Sequence, residues 1–161
     1  MSLYLLIYMT NIKKWGNATW FFLHTLAEKV KNDKFSIIKK DLFWLFKSIC
    51  SSLPCPDCRN HADQLIKTIN FKNITTKEDF KTVLFVFHNK VNTKLKKPNM
   101  EKDDFLKKYE TANLIKISKY FLHMFSKSTR NFKEMINNNA RKQLCNYIHN
   151  WLNKNLNNFD V

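Results

Sequence analysis

The chain has 161 residues, 44% of them hydrophobic and 14 of them Phe, which is enough for one domain around a packed core. It contains a single glycine, Gly16, and three prolines. That excludes glycine-rich phosphate loops of the dinucleotide or P-loop kind and Asn-Gly hairpin turns, and it points to an all-α architecture. A formal charge of +15 fits either a basic surface or the Lys, Asn, Ile and Phe excess of an A/T-rich coding sequence, and no basic run interleaved with stacking aromatics marks a specific nucleic-acid site.

In chain order, Met1 to Met9 is apolar but far short of the ~20 residues of a membrane helix. It also lacks the basic start and cleavage site of a secretory signal. Residues 1–13 are read as an N-terminal extension: an accessory strand, a packing segment or an upstream start. Trp15-Gly16-Asn17-Ala18-Thr19-Trp20 then opens the first helix with Asn17 as its N-cap, and Leu23, Leu26, Ala27 and Val30 continue the stripe from Trp20. His24 lies one turn after Trp20, as a core histidine or as a ligand. Asn32-Asp33-Lys34 reads as a break before a second helix over 35–51, with Cys50 on its last turn as a small buried hydrophobe.

Leu53-Pro54-Cys55-Pro56-Asp57-Cys58-Arg59-Asn60-His61-Ala62 places two cysteines at the entry of a third helix expected to run to about Asn70. A thiol there meets unpaired N–H groups and the positive end of the helix dipole, which favour the thiolate. A redox-active dithiol, a structural disulfide and half of a zinc site all fit the C-x-x-C alone. A zinc-binding interaction module would draw on Cys50, Cys55, Cys58 and His61. Thr75 with Glu78 predicts a capping box opening a fourth helix over 77–96. His88 and Asn92 share a face of that helix as i and i+4 beside Phe87 and Val91, and Pro98 ends it. A short fifth helix is expected over 101–109 and another over 111–127. An Asn-rich linker follows over 128–139, then a last amphipathic helix over 140–156 carrying Cys145 as a free buried thiol.

Trp15-Gly16, Trp20 and His24; then Cys55-Pro56-Asp57-Cys58 with Arg59 and His61; then His88-Asn89-x-Val91-Asn92-x-x-Leu95-x-Lys97-Pro98 resemble, in order and separation, the Erv/ALR flavin-linked sulfhydryl oxidases. The resemblance covers about Lys14 to Tyr109 and is closest to the short forms of large cytoplasmic DNA viruses of the poxvirus and asfarvirus type. It implies a four-helix bundle holding FAD, a short fifth helix across it, an oxidase domain over 14–110 and a helical C-terminal extension over 111–161. It further implies that Cys58 is the flavin-proximal thiolate and Cys55 the interchange thiol facing substrate. Trp15, Gly16, Trp20, His24 and His61 would line the flavin. His88, Asn89, Val91, Asn92, Leu95 and Lys97 would hold the adenine and ribose side, with Tyr109 closing the pocket. The implied reaction oxidises thiol proteins to disulfides and reduces O2 to hydrogen peroxide.

The second cysteine pair of cellular members is absent between Asn99 and Glu110, and no second C-x-x-C exists to act as a shuttle. A virus-encoded thioredoxin-like carrier is therefore the expected electron donor, with work in the host cytoplasm and the virion. The resemblance also implies a homodimer formed through the first two helices, for which Phe22, Phe43 and Phe46 are candidate interface residues. Neither a specific nucleic acid nor a membrane span is expected.

Overall fold

The computed structural model describes residues 3–127 and 135–161, and these form helices joined by short turns. The only β-type pairing among them is a single bridge between Val30 and Phe159. Helix α1 spans Leu3–Lys29, so it starts well before the expected cap at Asn17 and takes in most of the N-terminal extension. Residues 3–13 contain neither Pro nor Gly, and one glycine inside a helix costs only about 1 kcal/mol, too little to stop it. Asn17 is thus an exposed mid-helix residue.

Helix α2 is Asn32–Ser51. The polar stretch read as a break is its first turn, where Asp33 complements the dipole. Helix α3, Pro56–Lys67, closes at Thr68, sooner than expected. The side chain of Asn70 instead caps a 3-10 turn over Phe71–Asn73, accepting the Lys72 N–H at 3.1 Å. Helix α4 is Lys77–Lys94. Its capping box is Thr76 with Asp79 rather than Thr75 with Glu78. Asp79 Oδ2 accepts both the Thr76 and Thr75 N–H groups, at 2.8 and 2.9 Å, and Thr76 Oγ1 accepts the Asp79 N–H at 3.1 Å; that register satisfies more orphan donors. The chain leaves α4 through Lys96 at φ 54°, the one described non-glycine residue in the left-handed region.

Helix α5 is Lys102–Glu110, α6 is Leu114–Phe125 and α7 is Met135–Asn155. Part of the expected linker, 128–134, lies outside the described residues, while its Asn-rich end belongs to α7. There Asn138 is buried and accepts a hydrogen bond from Arg141 Nη2. Arg141 is also fully buried, and donates from Nε to Phe125 O at 3.3 Å and from Nη2 to Lys127 O at 3.4 Å. A cation thus closes the carbonyl end of α6, where the helix dipole favours one.

Helix α1 packs against α4 and α5 on one side and along α6 on the other, while α2 packs on α3 and α7. One continuous core runs through Phe22, Leu42, Phe46, Leu84, Phe121 and Ile148. Phe22 stacks face to face on Phe121 at 4.3 Å, and Trp151 Nε1–H donates to Asp41 Oδ2 at 2.9 Å. The C-terminal residues return to the α1–α2 turn, where Lys31 N–H donates to Asn158 O at 2.9 Å and Asp160 N–H to Lys29 O at 2.7 Å. Phe22, Phe43 and Phe46 are 0, 8 and 0% exposed. They are core residues here and offer no open interface. No described helix is long and apolar enough to cross a membrane.

Candidate active site

The C-x-x-C sits at the start of α3 because Cys55, in extended backbone, is the N-cap and Pro56 takes the first helical position, where its missing N–H costs nothing. Cys55 and Cys58 form a disulfide, and Cys55 Sγ accepts the Cys58 N–H at 3.2 Å. Arg59 Nη1–H donates to Leu53 O at 2.6 Å, tying the approach loop to the helix. Cys55 is 6% exposed and Cys58 half-buried. By exposure alone, Cys58 is the more open sulfur, the reverse of what an outward Cys55 suggests. His61, one turn after Cys58, is half-buried and held below its ordinary pKa, first by desolvation and then by the Lys94 charge. That places the flank of α3 within the field of the end of α4.

Between α1, α4 and α5 lies a cluster of flat rings. Trp20 stacks on His88 with centroids 3.8 Å apart and planes 7° from parallel. His24 Nε2 and His88 Nδ1 are 3.0 Å apart in a buried hydrogen bond. Phe105 meets His24 edge-on at 4.4 Å and Tyr109 lies 5.0 Å from it. Burial, then the His88 and Lys108 charges, push His24 well below its ordinary pKa. Burial, then Lys108 and Lys97, push His88 down to about 3. Both imidazoles are therefore neutral, one donating to the other. Whichever donates, the two outer ring nitrogens present one donor and one acceptor. Burial also pushes the Tyr109 phenol up, so it remains a neutral donor.

The other expected residues divide. Asn92 is 7% exposed, and its side-chain amide makes no hydrogen bond among the described residues. Asn89 is committed to structure: it donates to Met100 O at 3.2 Å and accepts the Met100 N–H at 2.9 Å, folding the post-α4 segment back onto the helix. Val91 packs against the core, Leu95 is 49% exposed at the end of α4, and Lys97 is exposed, its N–H donating to Asn92 O at 2.9 Å. Trp15 is half-buried and its carbonyl accepts the Thr19 hydroxyl at 2.8 Å. Gly16 has φ outside the left-handed region and no described atom within 4 Å of where a Cβ would stand. The sequence reading missed Phe105, which shares a face with Tyr109 at i and i+4, and the lysines Lys94 and Lys108, whose charges reach the histidines. The zinc alternative is not assembled: Cys55 and Cys58 are oxidised, and no three His, Cys, Asp or Glu side chains gather for a metal among the described residues. Cys50 and Cys145 are buried free thiols, with burial raising Cys145 to about 11.

This donor set fits a flavin nucleotide. It offers stackable rings, neutral polar edges, a buried amide without a partner, an open cradle at Gly16 and lysines able to balance phosphates.

The Erv1/Alr family profile matches residues 17–111. The 096R protein of Invertebrate iridescent virus 3 is 32% identical over 99 residues, 60% of this chain and 66% of that one. The FAD-linked sulfhydryl oxidase ERV1 of Arabidopsis thaliana is 34% identical over 82 residues, 51% and 42%. The FAD-linked sulfhydryl oxidase of African swine fever virus (isolate Warthog/Namibia/Wart80/1980) is 32% identical over 105 residues, 62% and 83%. The chain therefore spans under two thirds of the first two relatives and most of the third. No solved structure matches it significantly.

Proposed function

The chain belongs to the Erv1/Alr family, and from that premise we propose that it is a FAD-linked thiol oxidase that makes disulfides in proteins. The Cys55–Cys58 disulfide at the N-terminus of α3 carries the reading. A substrate thiolate attacks Cys55 Sγ and forms a mixed disulfide, expelling Cys58 as the thiolate. That leaving group stands in the first turn of α3, where the dipole and unpaired N–H groups stabilise it. A second substrate thiolate displaces Cys55, releasing an oxidised substrate and leaving both cysteines reduced, with two protons given up. FAD, when bound, takes the electron pair from the reduced cysteines and passes it to dioxygen, giving hydrogen peroxide. Trp20, His24, His88, Phe105 and Tyr109 stack on it and exclude water; Asn92 and the outer nitrogens of the histidine pair orient its polar edges; Gly16 lets it approach α1; His61, Lys94, Lys97 and Lys108 supply a positive surround. Trp15, Asn89, Val91 and Leu95 support that wall through the backbone they shape.

Thiol-containing proteins are the substrates, delivered through a thioredoxin-like dithiol carrier, since the chain has no second C-x-x-C. The viral relatives support work at cytoplasmic assembly sites and incorporation in virions. A homodimer would have to use a face other than the buried side of α1 and α2.

The purified protein is expected to be yellow, to consume oxygen with dithiothreitol, and to lose turnover in both Cys55→Ser and Cys58→Ser. Cys58→Ser should trap an aromatic thiol as a mixed disulfide at Cys55. A colourless protein without oxygen uptake would overturn the activity, and trapping only in Cys55→Ser would reverse the two roles.

A further inference from the structure

The family match stops at residue 111, yet α6, α7 and the C-terminal turn are built into the same core as α1 and α2. Helix α6 packs more extensively on α1 than any other helix does, with the Phe22–Phe121 stack within that contact and Phe121 and Phe125 themselves fully buried. Helix α7 lies on α2, joined by the Trp151–Asp41 hydrogen bond and the edge-on Trp44–Tyr147 pair at 4.7 Å. The end of the chain is fastened to the α1–α2 turn by two backbone hydrogen bonds and the Val30–Phe159 bridge. The covered face is apolar, and a domain without this module would leave it to water. The African swine fever virus relative has 83% of its length inside a 105-residue match, which leaves too little chain for two helices of the length of α6 and α7. Such a chain must cover the corresponding face with something else, and a second copy, bringing an identical apolar face, does so by two-fold symmetry.

We propose that α6 and α7 fill, within one chain, the place that a second copy of the 14–110 domain would otherwise take on α1 and α2, so that this protein works as a monomer with a built-in partner. The occupant is thus a segment of the chain itself, and the surface it occupies is one that self-associates when uncovered. The inference is independent of whether the protein binds flavin or oxidises thiols.

Light scattering on the full chain is expected to give the 19.4 kDa monomer mass at every concentration tried; a dimer mass would overturn the proposal. Trp44→Cys with Tyr147→Cys, both on half-exposed positions, treated with a bis-maleimide, is expected to give a link within one chain that runs as monomer on a denaturing gel. A link between chains would mean that the module is exchanged between copies and would likewise overturn it. In the full-length Phe121→Asp variant the module should lift from α1 and the protein should become a dimer of about twice the mass. A folded Phe121→Asp protein that remains monomeric refutes the self-associating face. Should that variant unfold, Phe121→Ser carries the same readout, and Phe121→Leu is the monomeric control.

Discussion

Helix α1 presents two faces made to opposite rules. Trp20 and His24, one turn apart, look toward α4 and α5 across a cluster that is buried yet polar, with neutral histidines bonded to each other and an asparagine amide left without a partner. Phe22 and Leu26, one turn apart on the other side, belong to a dry interior whose contacts are ring stacks and aliphatic packing. A face built for stability alone pairs or removes its polar groups. The unspent donors and acceptors on the first face are what a ligand consumes, and the saturated second face is what holds α1 still while it does so.

The largest expected effect separates the two faces outright. Phe22→Ala deletes a fully buried ring and should cost about 3–5 kcal/mol of stability, read as a lowered midpoint in denaturant, with flavin content per folded molecule unchanged. Trp20→Phe keeps an apolar ring of smaller area at a half-buried position. It should cost no more than about 1.5 kcal/mol, while visible flavin absorbance per mole of protein falls several-fold. Equal losses of flavin in both variants would erase the distinction.

The histidine pair gives the site face a pH signature that the Phe22 face lacks. Because folding holds His24 and His88 below their ordinary value of 6.5, His88 to about 3, the unfolded chain binds protons that the folded chain refuses. Their contribution to stability is therefore fully present above pH 6.5. It is lost as pH falls from there toward about 3, at up to about 1.4 kcal/mol per unit for each histidine. Urea midpoints measured between pH 7 and pH 4 should fall more shallowly in His88→Gln than in the parent. Parallel slopes would mean that the pair is charged in the folded state.

Much of the site face was legible because its information is local. A C-x-x-C behind two prolines and a His-x-x-x-Asn on one helix face declare themselves by spacing, and a single glycine in the chain suffices to exclude hairpins and phosphate loops. The module face was not legible. An amphipathic stripe over α6 says that one side is buried and says nothing of what buries it, so the Phe22–Phe121 stack and the Trp151–Asp41 bond, made across long stretches of chain, could not be read from pattern. For the same reason Asn137 to Asn139 looked like a linker. Asn138 is helical because Arg141 uses it while closing α6, a tertiary condition that overrides the weak helix propensity of Asn. Phe105 escaped for a simpler reason: the fifth helix was read for its length and for Tyr109 alone, although the i, i+4 pair was there to be seen.

The smallest expected effect is at Gly16, where the two demands on α1 meet in one residue. Because α1 begins at Leu3, Gly16 lies in the interior of the helix, where it costs about 1 kcal/mol relative to Ala. Its φ needs no glycine, and an added Cβ would meet nothing described within 4 Å. By the logic of packing alone, Gly16→Ala should raise stability by about 0.5–1 kcal/mol, seen as a higher urea midpoint of the flavin-free protein. By the logic of the site, the same methyl group stands in the space through which the cofactor nears the helix, so flavin affinity should fall in the protein that has become more stable. Opposite signs from one methyl group, in two measurements on one preparation, would place Gly16 with the ligand face. A gain in both would return it to the scaffold and move the cradle elsewhere along α1.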